Sequence, residues 1–379
     1  MIAAGSPRAF GPRDDSVIAR PRSGQSNLAA FALLLAACGP GSAKSPPFEA
    51  LALAADTLEA PWSNLPVAAV LGTGRWVLVA GDWDAAAIAD FTAKSLTPLG
   101  GAKQQAFQHP NAVFSVGDTI YLSDWGKRRT TVWTGDGRLI DSIPSPDALR
   151  GIAPRGRDGA GQLYFEVRPI PGRGGIGNRD SAAIVRAPRD LSRFDTVARL
   201  APVDVREMER GDVTRFERQV FSGDDLWGVW RDGTVWIARL LRNQIESVEP
   251  SGRVILGPEL PDPVYEVTQA DRLRYLQGFP AEVRPKEGDL PWALILPPFV
   301  AAFSAPDETI WLEKSKPVLD SLRAIQVLDR RGDLLRILRL VGHARLLAVG
   351  AESLLFGEQF ERGVRLMQVR IPAPPPAPQ

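Results

Sequence analysis

The sequence predicts an all-β ring: a six-bladed β-propeller with a short helical insertion between blades 4 and 5. Three observations predict it. One pattern occurs three times, weaker copies of it fill the gaps, and no copy can bury both of its faces alone. The clear copies open on Asp118–Trp125 (DTIYLSDW), Gly233–Arg239 (GTVWIAR) and Glu308–Lys314 (ETIWLEK). Each continues to a second strand and a glycine turn: Thr131–Ile140, Glu246–Ile255 and Gln326–Leu335. From aromatic to turn glycine the spacing is 16, 16 and 21 residues, the third copy carrying a five-residue insertion in its loop. Each copy reads strand, loop, strand, turn, strand. Short Val, Ile, Leu, Trp and Tyr runs bounded by Asp/Gly clusters suit strands. Glycine at the turn supplies the positive φ that a tight hairpin needs.

The weaker copies begin at Gly74–Asp82, Gly161–Glu166 and Glu352–Glu358, which brings the total to six. Units that cannot bury themselves must stack, and four-stranded sheets stacked radially make a propeller. The strand nearest the axis should precede each aromatic strand. Candidates are Ala112–Val116, Gln219–Ser222 and Phe299–Phe303. A ring must close, and Leu51–Leu58 is placed to pair with the last blade.

The pattern of a G/D-x-[IVL]-[YW]-[LIF] strand followed by a D/S-G-[RD]-[LV]-[IL] turn resembles the six-bladed propellers of NHL/TolB-like bacterial lipoproteins. The resemblance covers roughly residues 60–372. It implies the fold and is nearly silent on activity, since propellers host enzymes, binders and scaffolds alike. Many NHL-type blades carry an Asn/Arg pair in the second loop. Lys127-Arg128-Arg129 and Arg242-Asn243 match it only loosely, so peptide or RNA binding is not implied.

The N-terminus reads as an address. Leu28–Ala37 is a ten-residue apolar run with Arg8, Arg13, Arg20 and Arg22 upstream. It is too short for a permanent span and suits the apolar segment of a secretory signal. It ends Leu35-Ala36-Ala37-Cys38-Gly39, which resembles the bacterial lipobox, with Cys38 as the lipidated thiol. Val17 is an alternative start that would leave a compact leader. The expected organisation is a signal peptide over 1–37, a tether over 38–50, the propeller over 51–372 and a Pro-rich tail over 373–379. The chain would then be held on the membrane through Cys38, on the periplasmic or extracellular face, as a monomer.

Composition narrows the function. There are 45 Lys+Arg against 44 Asp+Glu, so the long-range field that nucleic acid would need is missing. One Cys excludes an intrachain disulfide, and with two His it excludes a Cys/His zinc site. No GxSxG, HExxH, GxxxxGK[ST] or CxxC occurs. Gly172–Gly177 looks like a dinucleotide loop but lacks the strand-to-helix context. His109 and His343 have no Ser or Cys partner nearby in sequence, so no nucleophilic triad is read.

The ends of the aromatic strands give the candidate ligand-binding residues. Asp124, Arg239 and Glu358 share one column with Lys314, Glu166 and Glu313 stand one position earlier, and Trp125 follows Asp124. Trp83, Trp227 and Trp230 read as further exposed aromatics. Mixed signs suit a solvated rim of ion pairs better than converging carboxylates for a metal. Tyr121, Tyr164, Trp236 and Trp311 read as packing between blades.

One segment, Val264–Pro298, departs from the repeat, and Gly172–Asp180 reads as another long loop; either could line a binding surface, though both read better as variable surface loops. Thr268–Gln277 carries a capping box, with Asp271 in the usual Glu position, and places Leu273 and Leu276 on one helical face. Arg206–Arg218 reads as a charged helix or an exposed linker. The expected function is a non-catalytic ligand- or protein-binding or scaffolding module with no cofactor, its protein or small-molecule partner sitting at the mouth of the ring. The alternative is a lactonase- or lyase-type propeller enzyme of the cell envelope, with carboxylates holding Ca²⁺.

Overall fold

The computed structural model describes residues 46–52, 56–100, 106–168 and 182–373. Cys38, the apolar leader, the Gly172–Asp180 loop and the last six residues lie outside the described residues. The chain enters through β1 (Phe48–Ala50) and β2 (Asp56–Ala60). Blade 1 is β3 (Val67–Val70), β4 (Arg75–Ala80), β5 (Ala85–Asp90) and β6 (Ser95–Pro98). Blade 2 is β7 (Pro110–Val116), β8 (Thr119–Asp124), β9 (Arg129–Thr134) and β10 (Leu139–Pro144). Blade 3 is β11 (Gly156–Arg157), β12 (Leu163–Val167), β13 (Ala183–Ala187) and β14 (Asp195–Arg199). A separate hairpin follows, β15 (Val205–Arg210) and β16 (Val213–Arg218).

Blade 4 is β17 (Leu226–Val229), β18 (Val235–Arg239), β19 (Gln244–Val248) and β20 (Val254–Glu259). The insertion with α1 (Gln269–Gln277) comes next. Blade 5 is β21 (Phe299–Ser304), β22 (Ile310–Lys314), β23 (Leu322–Leu328) and β24 (Leu334–Val341). Blade 6 is β25 (Arg345–Val349), β26 (Ser353–Phe360) and β27 (Gly363–Arg370). These six sheets form the propeller, each an antiparallel meander.

The ring closes through part of the expected segment: of Leu51–Leu58, Asp56–Leu58 pair with the last blade, while Leu51 N donates to Arg339 O of blade 5. β2 supplies the outer strand of blade 6, pairing antiparallel with β27 so that Leu58 faces Leu366. β1 adds a fifth, parallel strand to blade 5, with Phe48 opposite Ile337. The Arg336 guanidinium grips the Glu49 carboxylate there, with Nε to Oε1 at 2.8 Å.

The second strand of each blade carries an unbroken apolar run of three or more residues because both of its faces are buried there. Alternate residues serve alternate seams. Val77 and Val79 pack with Ile120 and Leu122 across the seam of blades 1 and 2. Tyr121 packs with Leu163 and Phe165 in the next, and Tyr164 with Val235 and Ile237 beyond it. Trp236 meets Ile310 and Leu312; Trp311 meets Leu354 and Phe356; Trp76 and Leu78 meet Leu355 and Leu366. The aromatic column is therefore core, as read. The turn glycines Gly137, Gly252 and Gly332 sit at φ +86°, +85° and +87°, where a side chain would be strained.

Two expectations are corrected. Arg206–Arg218 is neither helix nor linker. β15 and β16 pair in register from Val205–Arg218 to Arg210–Val213 around Gly211-Asp212, a turn dipeptide that suits a hairpin. The inner strand of blade 4 is Leu226–Val229, not Gln219–Ser222. Phe221 adopts φ +67°, which no strand permits, and Val220 bridges instead to Trp292 of the insertion.

The helix forms as read. Asp271 N donates to Thr268 Oγ1 at 3.3 Å, and Thr268 N donates to Asp271 Oδ2 at 2.9 Å. Its packing differs from expectation: Leu276 is buried while Leu273 is exposed. Tyr275 turns into an aromatic group with Phe221, Phe279 and Trp292. Asp271 Oδ1 also accepts Val318 N at 2.8 Å, tying the helix to the long loop of blade 5.

Candidate functional site

In each meander the loop after the second strand and the connection to the next blade lie at one end of the ring. The rim residues stand there because they end the second strands: Asp124 on β8, Arg239 on β18 and Lys314 on β22. Glu166 and Glu313 come two residues after Tyr164 and Trp311, so they share those residues' face. The alternation splits the predicted column between seams.

Glu166 and Glu313 look toward the following blade. Glu166 Oε2 accepts Trp227 Nε1 of β17 at 2.9 Å. Its Oε1 accepts Arg168 Nε at 2.9 Å, and Arg155 closes an ion pair over it. Burial alone would raise this carboxyl, but Arg155, the Trp227 indole and Arg168 hold it below the ordinary Glu value. Glu313 is 1% exposed. Its Oε1 accepts Arg345 Nε of blade 6 at 3.0 Å and an ion pair from Arg323 on β23.

Asp124, Arg239 and Lys314 look toward the preceding blade. Asp124 accepts the backbone N–H groups of Gln108 at 2.9 Å and Lys127 at 3.2 Å. Arg239 reaches Asp225 at 2.7 Å and forks onto Glu246 at 3.0 and 2.6 Å, while donating to the Arg199 carbonyl of blade 3. Burial alone would lower the Arg239 guanidinium, but Glu246 and Asp225 raise it above its ordinary value. Lys314 Nζ lies 2.6 Å from Asp262 Oδ2 and 3.2 Å from Asn243 Oδ1.

The predicted residues are thus not brought together. Glu358 stands apart with Arg365 at 3.9 Å. Trp125 is largely exposed, its ring centroid 6.5 Å from that of His109. Trp83 is also exposed, and its Nε1 donates to Ser63. Trp230, read as exposed, is buried against Trp236. Among the described residues no three His, Cys, Asp or Glu side chains are grouped to hold a metal. Sequence reading missed Asp225, Asp262, Arg155 and Arg345. They lie on connections and inner-strand ends, outside the repeating motif that marks the second strands.

No family model and no curated protein matches the chain. Solved structures are similar to it over most of its length. Virginiamycin B lyase from Staphylococcus aureus is 12% identical, with 83% of this chain and 99% of that chain covered and a TM-score of 0.41. Regucalcin, a calcium-binding protein from Agrobacterium tumefaciens, is 9% identical over 87% and 98% of the two chains, with a TM-score of 0.44. A member of the DUF4221 family from Bacteroides vulgatus is 8% identical over 83% and 95%, with a TM-score of 0.46. These similarities carry no activity across.

Proposed function

We propose that this chain is a lipid-anchored propeller of the bacterial envelope, tethered through Cys38, that binds a ligand or partner without transforming it. One observation supports the binding reading above the enzymatic one. The rim carboxylates Asp124, Glu166, Asp225, Asp262 and Glu313 each accept hydrogen bonds from backbone or side-chain donors that lock adjacent elements. A general base needs a free lone pair and a pKa near the working pH. Glu166, with three donors on its carboxylate and held below its ordinary value, is poorly suited to that role. The lipobox-like run before Cys38 supports the anchor.

Two measurements test this reading. Calcium titration of the purified chain should give no saturable heat and no rise in melting temperature. A stoichiometric ion removed by chelator would overturn it in favour of the lactonase- or lyase-type enzyme. In cells the wild-type chain should sediment with membranes and Cys38→Ser should not. Equal sedimentation of the two would overturn the anchor.

A further inference from the structure

A cleft of ≈ 210 Å³ lies between blade 5 and the insertion. One wall is apolar: Phe48, Pro263, Tyr265, Leu296, Pro297 and Ile337. The other is polar, and its hydrogen bonding is incomplete. Gln326 is 3% exposed; its Nε2 donates to Asp262 at 2.6 Å, so its Oε1 must serve as an acceptor, and that atom has no partner. Ser315 is 9% exposed and its Oγ has no partner. Arg323 Nε is likewise buried and unpartnered, although the same guanidinium pairs with Glu313.

Buried polar atoms are almost always satisfied, and each orphan costs free energy in the empty state. Here three such atoms, Gln326 Oε1, Ser315 Oγ and Arg323 Nε, belong to residues that line one cavity. The lining carries four cations, Lys314, Lys316, Arg323 and Arg339, against two carboxylates, Asp262 and Asp320. Asp262 is already engaged by Lys314, Asn243 and Gln326. The excess is positive, and the unused acceptor asks for a hydroxyl or N–H.

We propose that this cleft is a binding site for a small hydroxy- or amido-carboxylate, whose apolar body lies on the proline and Tyr265 wall. The carboxylate takes the Ser315 hydroxyl and the Arg323 Nε–H, with Lys316 adding charge. The ligand's hydroxyl or amide N–H donates to Gln326 Oε1. An apolar wall with a few convergent polar groups is the usual construction of a small-molecule site, and this volume suits a ligand smaller than most. The cleft shares Asp262 and Lys314 with the rim, but its three unpartnered atoms belong to Ser315, Arg323 and Gln326, so the proposal does not rest on the rim's function.

The test uses the purified full chain with mandelate, hippurate and their methyl esters as probes, read by ligand-observed NMR and melting temperature. At least one acid should bind saturably with a Kd of about 1 mM or tighter. Its ester should bind at least tenfold more weakly. Ser315→Ala should weaken the acid roughly five- to tenfold while leaving the melting temperature of the unliganded protein unchanged or higher, because the lost hydroxyl had no partner. Lys316→Met should weaken the acid and leave the ester alone. Failure of both acids to bind, ester binding equal to the acid, or Ser315→Ala with unchanged affinity overturns the proposal. A Ser315→Ala variant that melts well below wild type also overturns it, since the hydroxyl would then be structural.

Discussion

Replacing Glu313 by Gln removes one charge from the seam of blades 5 and 6 and leaves its shape. Both guanidinium groups on its Oε1 then lose their counterion. Arg323 is 15% exposed at the side chain and Arg345 is 41% exposed. Burial lowers the Arg323 guanidinium below its ordinary value, with Glu313 opposing, so the cation there depends on this carboxylate. Breaking a buried pair by removing one partner costs roughly 3–5 kcal/mol. Arg345 can turn to water, which puts the expected loss near the lower end, about 3 kcal/mol. Urea unfolding followed by tryptophan fluorescence and circular dichroism reads this directly. With a slope of about 3 kcal/mol/M the midpoint should fall by about 1 M. The double variant Glu313→Leu/Arg323→Met removes both buried charges and should recover at least about 1 kcal/mol relative to Glu313→Gln. A single variant within about 0.5 kcal/mol of wild type, or a double variant less stable than the single, would refute the reading of Glu313 and Arg323 as a buried ion pair.

Three further outcomes follow from the same structure. Leu58→Asp places a carboxylate where β2 closes the ring on Leu366 and should destabilise by roughly 3 kcal/mol or more, seen as a lower melting temperature. Asp262→Ala leaves Lys314, 7% exposed at its side chain, with no counterion and only Asn243 Oδ1 and the Phe299 ring beside it, at a cost of roughly 3–5 kcal/mol at pH 7. Because burial lowers the Lys314 ammonium below 10.5, the penalty for its charged form is full below the folded value and fades as pH rises toward 10.5. The deficit of Asp262→Ala should therefore shrink between pH 7 and 10 in matched melts. Glu166 titrates below 4.5 in the folded state, so its contribution is full above 4.5 and lost as pH falls through that lower value. Melting curves of wild type and Glu166→Gln should converge as the buffer is taken from pH 7 to pH 3, and a constant gap would contradict the assignment.

The blades were legible because their second strands are buried on both faces. Ile120–Leu122, Val235–Ala238 and Ile310–Leu312 are unbroken apolar runs, each followed at near-constant distance by a glycine that must take positive φ. The capping box at Thr268 and Asp271 was legible for the same reason: it is local. The hairpin over Val205–Arg218 was obscured by its charge, although Gly211-Asp212 is a turn dipeptide. Only one face of an isolated two-stranded ribbon needs to be apolar, and here Met208 and Phe216 are the only large apolar residues in mid-strand. The rim defeated sequence reading for a different reason. Glu313 meets Arg345 32 residues away and Gln326 meets Asp262 64 residues away. Asp262 sits on a connection and Arg345 opens the inner strand of the next blade, and the place of each is fixed only when the blades are assembled. The strand-end column was visible in sequence; its division between alternate seams follows from pleating and could be seen only once each blade had neighbours.

The closed ring underlies every other assignment, and hydrogen exchange of Asp56–Ala60 tests it most directly. These five residues pair along their whole length with β27. Their amides directed at β27 should exchange as slowly as those of β26, the strand on its other side. Exchange of Asp56–Ala60 at the rate of an unstructured peptide, with β26 and β27 still protected, would contradict closure by the N-terminal strand.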